Sequence, residues 1–350
     1  MSTCKIHIKS VFCILYSVLS ILLVGCSGHP TEQGTVPVGN KYATGFAINE
    51  TDSGILVEVF QPYQRLCVKT PMRRLGTMST VQVGFLNALD AMECLAAVCN
   101  PELIYTSVKG DEIDLGDSMK PSAERVLQGN LDILLAVNYG QYDNIEATRL
   151  ERLGVPIIYI NEWQESSPLA RAEWIRVLGA LTGKLHEADS IFQKVETQYI
   201  NLKSSISNDQ STKIMSGNNF RGTWYVPSGK NYLAYLFKDA GAAYPFYDND
   251  RETSIPLTVE DCLYYFGDAD VWVGAGGNSM AELSQMDEKH TWFKAYQNGR
   301  VYNWRKQQLP GGANNFWERG VVHPEEMLED VIHILNNAPD SMLHFANRLY

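Results

Sequence analysis

The sequence offers little cysteine chemistry. Its seven cysteines include no C-x-x-C pair, so neither a zinc ribbon nor a thioredoxin-type dithiol has support. Positive charge is also scarce. Lys and Arg number 29 against 40 Asp and Glu, a formal net charge of -11, and such a field repels a phosphate backbone. No nucleic-acid partner is expected. After residue 30 no stretch approaches the ~20 apolar residues of a membrane-spanning helix. The usual catalytic signatures are missing: there is no G-x-S-x-G elbow, no H-E-x-x-H and no G-x-x-x-x-G-K-[ST] loop. Gly229-Lys230 is followed by Asn231 where a phosphate loop needs a hydroxyl residue, and Gly274-Ala275-Gly276-Gly277 reads as a tight turn. The histidines are scattered. His323 and His333 fall in a helical C-terminal pattern, and no pair of histidines has metal-ligand spacing on one face. An enzyme, a resident cofactor and an intrinsic metal centre are therefore not expected.

What is present is a globular composition. Of 350 residues 45% are hydrophobic, with 18 Tyr, 12 Phe and 7 Trp, enough for one large or two ordinary domains. The start of the chain differs from the rest. Lys5 and Lys9 precede an apolar run from Val11 to Val24, which ends Leu23-Val24-Gly25-Cys26. A short apolar run behind lysines reads as an export signal. The L-x-G-C ending resembles the lipobox of bacterial lipoproteins, which implies cleavage before Cys26 and a lipid on its thiol. Residues 1–25 are thus expected to be a signal peptide and 26–41, rich in Gly, Pro and Thr, a flexible tether. Losing Lys5 and Lys9 leaves the mature chain two charges more negative. Cys4 and Cys13 leave with the signal. Cys67, Cys94, Cys99 and Cys262 remain; their spacing assigns no disulfide, and Cys94 and Cys262 read as small core residues.

From Tyr42 the pattern becomes regular. Residues 42–61 read as a β-hairpin turning at 50–54. Strands follow at 74–78, near 103–105, at 131–137 and at 156–160. Helices run through Val83 to Leu95, from 121 to 128 and from 145 to 153. The second half repeats the order: a strand at 213–216, a loop from 218 to 227, a helix from Tyr232, a helix over 258–265, a strand at 270–274 and a loop at 275–279. Both halves carry a Glu on a first helical turn, a Leu three residues on, and an Asp that opens a strand: Glu124 and Asp132, then Glu260 and Asp270. Between the halves Leu185, Ala188, Phe192, Val195, Tyr199 and Leu202 make one apolar stripe. A helix over 184–205 is roughly 33 Å long at about 1.5 Å per residue, and so stiff a connection predicts small rocking rather than wide hinge closure. The predicted fold is α/β, with two similar lobes of mostly parallel sheet joined by this backbone helix and a ligand cleft between them. The boundaries are 42–183, 184–205 and 206–350.

In open α/β sheets ligands sit beyond the carboxyl ends of the strands. The loops there hold Ser79, Thr80, Tyr139, Tyr142, Trp163, Arg221, Trp224, Tyr225 and Asn278, an aromatic and polar set suited to a large, flat or partly apolar ligand.

The layout resembles the substrate-binding lipoproteins of ABC importers for ferric siderophores, haem and cobalamin. The segments that carry the resemblance are Arg74-Leu-Gly-Thr-Met-Ser79, Asp114-Leu-Gly-Asp, Ser122-Ala-Glu124-Arg-Val-Leu, Asn130-Leu-Asp-Ile-Leu, Leu153-Gly-Val-Pro-Ile-Ile, Trp174-Ile-Arg-Val-Leu-Gly-Ala-Leu-Thr-Gly183 and Phe316-Trp-Glu-Arg-Gly-Val-Val-His-Pro324. The resemblance implies a monomer in the cell envelope, on the periplasmic or surface side, held to the membrane through Cys26. It implies that a small-molecule metal chelate is captured and passed to an ABC permease, with Glu124 and Glu260 docking against permease arginines. One departure is Gln128-Gly129-Asn130, where the family usually has Lys-Pro before the Asp-led strand. The rival reading is a lipid-anchored envelope hydrolase, for which no nucleophile–base pair is visible.

Overall fold

The computed structural model describes residues 37–138, 145–206, 211–251 and 253–350, all within one compact unit. The expectations for residues 1–25, for Cys26 and most of the tether, and for Tyr139 and Tyr142 lie outside the described residues. The chain opens with an antiparallel sheet, β1 (Phe46–Thr51), β2 (Gly54–Phe60) and β3 (Tyr63–Val68). The expected hairpin is there, with a third strand added. Just before it, two buried carboxylates grip the backbone. Glu173 accepts from the amides of Lys41, Tyr42 and Ala43 at 2.7–2.8 Å. Glu165 accepts from those of Thr44 and Gly45 and from Trp174 Nε1.

The first α/β half comprises β4 (Leu75–Thr77), α1 (Thr80–Ala88), β5 (Leu95–Val98), β6 (Ile113–Asp114), α2 (Ala123–Gln128), β7 (Ile133–Ala136), α3 (Ile145–Arg152) and β8 (Ile157–Tyr159). Its strands form one parallel sheet in the order β6-β5-β4-β7-β8. The chain steps outward from β4 to β6 and then crosses to β7 on the other side, so the topological switch lies between β4 and β7. The strand expected near 103–105 is absent. Pro101 and the left-handed Asn100 (φ 47°) set a 3-10 turn there, and the sheet position beside β4 is filled by Leu95–Val98.

Three helices lead away: α4 (Pro168–Glu173), α5 (Ile175–Thr182) and α6 (Leu185–Ser204). The last is the backbone helix, and Ala188, Phe192, Val195 and Tyr199 of its stripe are buried. The second half follows with β9 (Ile214–Ser216), β10 (Asn219–Phe220), β11 (Thr223–Val226), α7 (Tyr232–Asp239), β12 (Ile255–Leu257), α8 (Val259–Phe266), β13 (Val271–Val273), α9 (Met280–Met286), α10 (Lys294–Gln297), β14 (Val301–Asn303), α11 (Asn315–Val322), α12 (Pro324–Leu335) and β15 (Asn347–Arg348). β9, β13 and β14 run parallel, with β15 added antiparallel. α11 turns back onto α1, so closely that a Cβ at Gly84 meets Glu318 O at 2.5 Å.

The repeated Asp has a structural role. Asp132 accepts from the amides of Arg73 and Arg74 ahead of β4, and Asp270 from the amide of Lys213 ahead of β9. Each ties the start of the strand it opens, β7 or β13, to the start of its lobe's first strand, β4 or β9. Cys94, Cys99 and Cys262 are buried, Cys67 is exposed and all four are free thiols. Among the described residues no helix is long and apolar enough to cross a membrane.

Candidate ligand-binding site

The parallel strands of each sheet place their following loops on one edge. On the first edge, Ser79 and Thr80 begin α1 directly after β4. Both are half-buried. Ser79 is the N-cap: its Oγ accepts from the amide of Val81, while Gln82 Oε1 accepts from the amides of Ser79 and Met78. The loops after β7 and β8 are joined by Asn161, which accepts from the amide of Asn138 at 2.9 Å and donates to Gln61 O. Trp163 stands on the short helical turn that follows, 41% exposed.

On the second edge three loops touch one another. Trp272 Nε1 donates to Gly217 O at 2.7 Å and Asn303 Nδ2 to Gly277 O at 2.9 Å. Asn278 is exposed, and its Oδ1 accepts from Arg305 Nη1 at 2.8 Å. Arg305 was not anticipated. It follows β14, a strand the sequence pattern did not reveal because Val301-Tyr-Asn303 is only three residues long. Trp304 beside it stacks on Phe316 of α11, centroids 5.0 Å apart at 14°.

Residues 218–227 are not the expected loop but a hairpin. Arg221 and Gly222 both take positive φ (51° and 89°), the requirement of a two-residue type I′ turn. The tip lifts Arg221 into solvent, its guanidinium 5.2 Å from the Phe220 ring centroid. Alternation along β11 then sends Tyr225 outward, 51% exposed, and Trp224 inward. This corrects the expectation for Trp224. It is fully buried, donates Nε1–H to Ser216 O at 3.0 Å and packs on Trp272, Phe293 and His290. It has no free face for a ligand.

Behind the edges, α4 meets α7. The Arg171 guanidinium lies 4.2 Å from the Tyr232 ring centroid and pairs with Glu162 at 3.2 Å, both side chains almost wholly buried. Burial pushes the Glu162 carboxyl up, and Arg171 only partly opposes it.

Glu124 and Glu260 occupy equivalent places. Each follows the N-cap of its helix (Ser122 of α2, Thr258 of α8) by two residues, and each is exposed. Glu124 accepts from Gln128 at 3.2 Å; Glu260 pairs with Lys289 at 3.2 Å. The free backbone amide at the start of α8, and then Lys289, hold the Glu260 carboxyl below its usual range.

The family model described as "Periplasmic binding protein" matches residues 78–308. An uncharacterised lipoprotein of Methanocaldococcus jannaschii is 24% identical over 77% of this chain. The chain spans 66% of that relative's length and 61% of a second lipoprotein from the same organism. Among solved structures, a possible iron-binding (periplasmic solute-binding) protein of Staphylococcus epidermidis superposes with a TM-score of 0.60 at 14% identity, over 76% of this chain and 99% of that one. The triscatecholate siderophore-binding protein FeuA of Bacillus subtilis, complexed with ferri-bacillibactin, gives 0.59 at 15%, over 79% and 96%. The periplasmic haem-binding protein HutB of Vibrio cholerae gives 0.56 at 16%, over 73% and 98%. At these identities the superpositions establish the fold.

Proposed function

Because this chain belongs to the periplasmic binding protein family, we propose that it is the lipid-anchored receptor of an ABC importer whose cargo is a metal chelate: a ferric siderophore first, haem or cobalamin next. The family binds solutes rather than transforming them, which sets the hydrolase reading aside. The second-sheet edge carries the ligand class. Arg305, Asn278 and Trp304 stand on it, and Arg221 and Tyr225 stand on the hairpin that follows β9. Arginine forks suit carboxylate or catecholate oxygens, and aromatic faces suit a flat or macrocyclic body. Iron or cobalt that arrives already chelated needs no ligand cluster from the protein. Ser79, Thr80 and Trp163 supply the opposing polar and aromatic contacts. The lipoprotein names of the archaeal relatives support an anchor at Cys26. Glu124 and Glu260, on matching exposed helix starts, fit a permease that offers arginines to both lobes.

The test is the absorption spectrum of the full-length protein purified from its host. A Soret band, a corrin spectrum or a ferric-catecholate charge-transfer band, in one-to-one amount, is expected. A colourless protein that takes up none of these chelates when they are supplied would overturn the reading.

A further inference from the structure

We propose that the corner between α11 and α12 binds a divalent transition-metal ion through His323, Glu325 and Glu326, independently of the chelate. The sequence there is Val322-His323-Pro324-Glu325-Glu326. Pro324 opens α12, which puts His323 at the cap and the two glutamates on the first turn. All three side chains therefore fold over one helix start, and their ligand atoms lie within 4.8 Å of one another. His323 Nδ1 is 2.9 Å from Glu325 Oε1. The other oxygen, Glu325 Oε2, is buried with no hydrogen-bond partner, on a side chain only 9% exposed. A simple capping role for the His323–Glu325 pair leaves that oxygen unexplained, because a buried anionic oxygen needs a donor or a cation.

Glu326 is held from behind. Arg319 grips both of its oxygens, at 2.8 and 2.5 Å. When an ion takes one of them, Arg319 keeps the other and fixes the carboxylate's orientation. Two carboxylates and one guanidinium leave the corner with a net negative charge, which a divalent ion reverses. One imidazole nitrogen and two carboxylate oxygens, with a fourth position open to water, suit zinc. A crevice of about 300 Å³ between α1 and α11, lined by Asn87, Tyr105, Arg319 and His323 among others, reaches the corner at His323. It lies along the C-terminal half of α1, with Tyr105, Thr106 and Ser107 of the loop between β5 and β6 on its wall. A search for histidine pairs alone passes over this corner, because two of its three ligands are carboxylates.

The test is zinc titration of the full-length, EDTA-stripped protein in detergent, by competition with a chromophoric chelator, with cobalt as the optical reporter. One zinc per chain is expected, and cobalt should show the visible bands of a four- or five-coordinate site. His323→Ala and Glu325→Gln should each weaken zinc binding at least ~10-fold, since losing even an outer-shell partner typically costs that much. His344→Ala, which breaks a separate His–Glu pair with Glu329, should leave affinity unchanged. Added zinc should raise the melting temperature of wild type and not of Glu325→Gln. Binding that is unsaturable, or equal in all variants, would overturn the proposal. So would a wild-type cobalt spectrum of the hydrated octahedral ion alone, a result that needs no variant to fold.

Discussion

Arg221 and Trp224 are three residues apart on one hairpin and face opposite ways, so their substitutions should separate cleanly. Arg221→Ala removes a solvent-exposed fork and nothing from the core. A contact to a charged group is typically worth about 1.5–3 kcal/mol, so an anionic chelate should bind roughly ten- to a hundredfold more weakly, a neutral one far less, with the melting temperature unchanged. Trp224→Ala empties a core site and should destabilise the protein by about 3–5 kcal/mol in denaturant titration, with the affinity of the folded fraction retained. The reverse pattern would move the ligand site onto Trp224's own cluster. Asp270 gives a pH-dependent case. Burial alone would raise its pKa, but Lys294 at 2.7 Å and the Lys213 amide outweigh burial and hold it below the usual value. A lowered folded-state pKa stabilises the fold above the unfolded value, and that contribution disappears as pH falls through the folded pKa. Asp270→Asn should therefore lose about 1 kcal/mol at neutral pH, a difference from wild type that shrinks below about pH 4. A gap that stays constant into acid would contradict the assignment.

At the scale of elements, a sequence pattern was readable wherever one periodicity held for long enough. The stripe on α6 and the apolar runs of β7 and β8 are such cases. It failed where elements are short or change type abruptly. Leu89, Met92 and Leu95 continue a helical spacing past the true end of α1 at Ala88, which hid β5. Thr223-Trp-Tyr-Val226 was hidden because its hairpin turn is Arg-Gly rather than Asn-Gly, and with it went the correct facing of Trp224. Arg305 was missed with β14. The packing of α11 on α1 could not be read at all, since it joins residues more than 200 positions apart. That packing makes its own prediction. In an exposed helix Gly→Ala gains about 1 kcal/mol of propensity. At Gly84 the added carbon meets the backbone of Glu318, at 2.5 Å from O and 2.8 Å from C, and backbone cannot rotate aside. Gly84→Ala should therefore destabilise, by about 1–3 kcal/mol in chemical denaturation. A stabilised variant would show that α1 and α11 are less tightly apposed.

For the whole molecule, the proposed function assigns capture and delivery to different residues. Glu124 and Glu260 lie on exposed helix starts and are not among the proposed ligand contacts, so Glu124→Arg with Glu260→Arg should stop uptake in cells while leaving chelate affinity nearly unchanged. Glu260 already pairs with Lys289, but a solvent-accessible pair of this kind is worth little and is easily exchanged for a permease arginine. Normal uptake by the double variant would leave both glutamates as helix-start charges only. The central claim, that this protein captures a metal chelate, is tested most directly by titrating the full-length protein with a ferric catecholate, haem and cobalamin while following tryptophan fluorescence. Trp163 and Trp304 stand at the strand-end edges and should report occupancy. Saturable one-to-one quenching by at least one of the three is predicted, weakened in Arg221→Ala if that chelate is anionic. No saturable quenching by any of them would contradict the account.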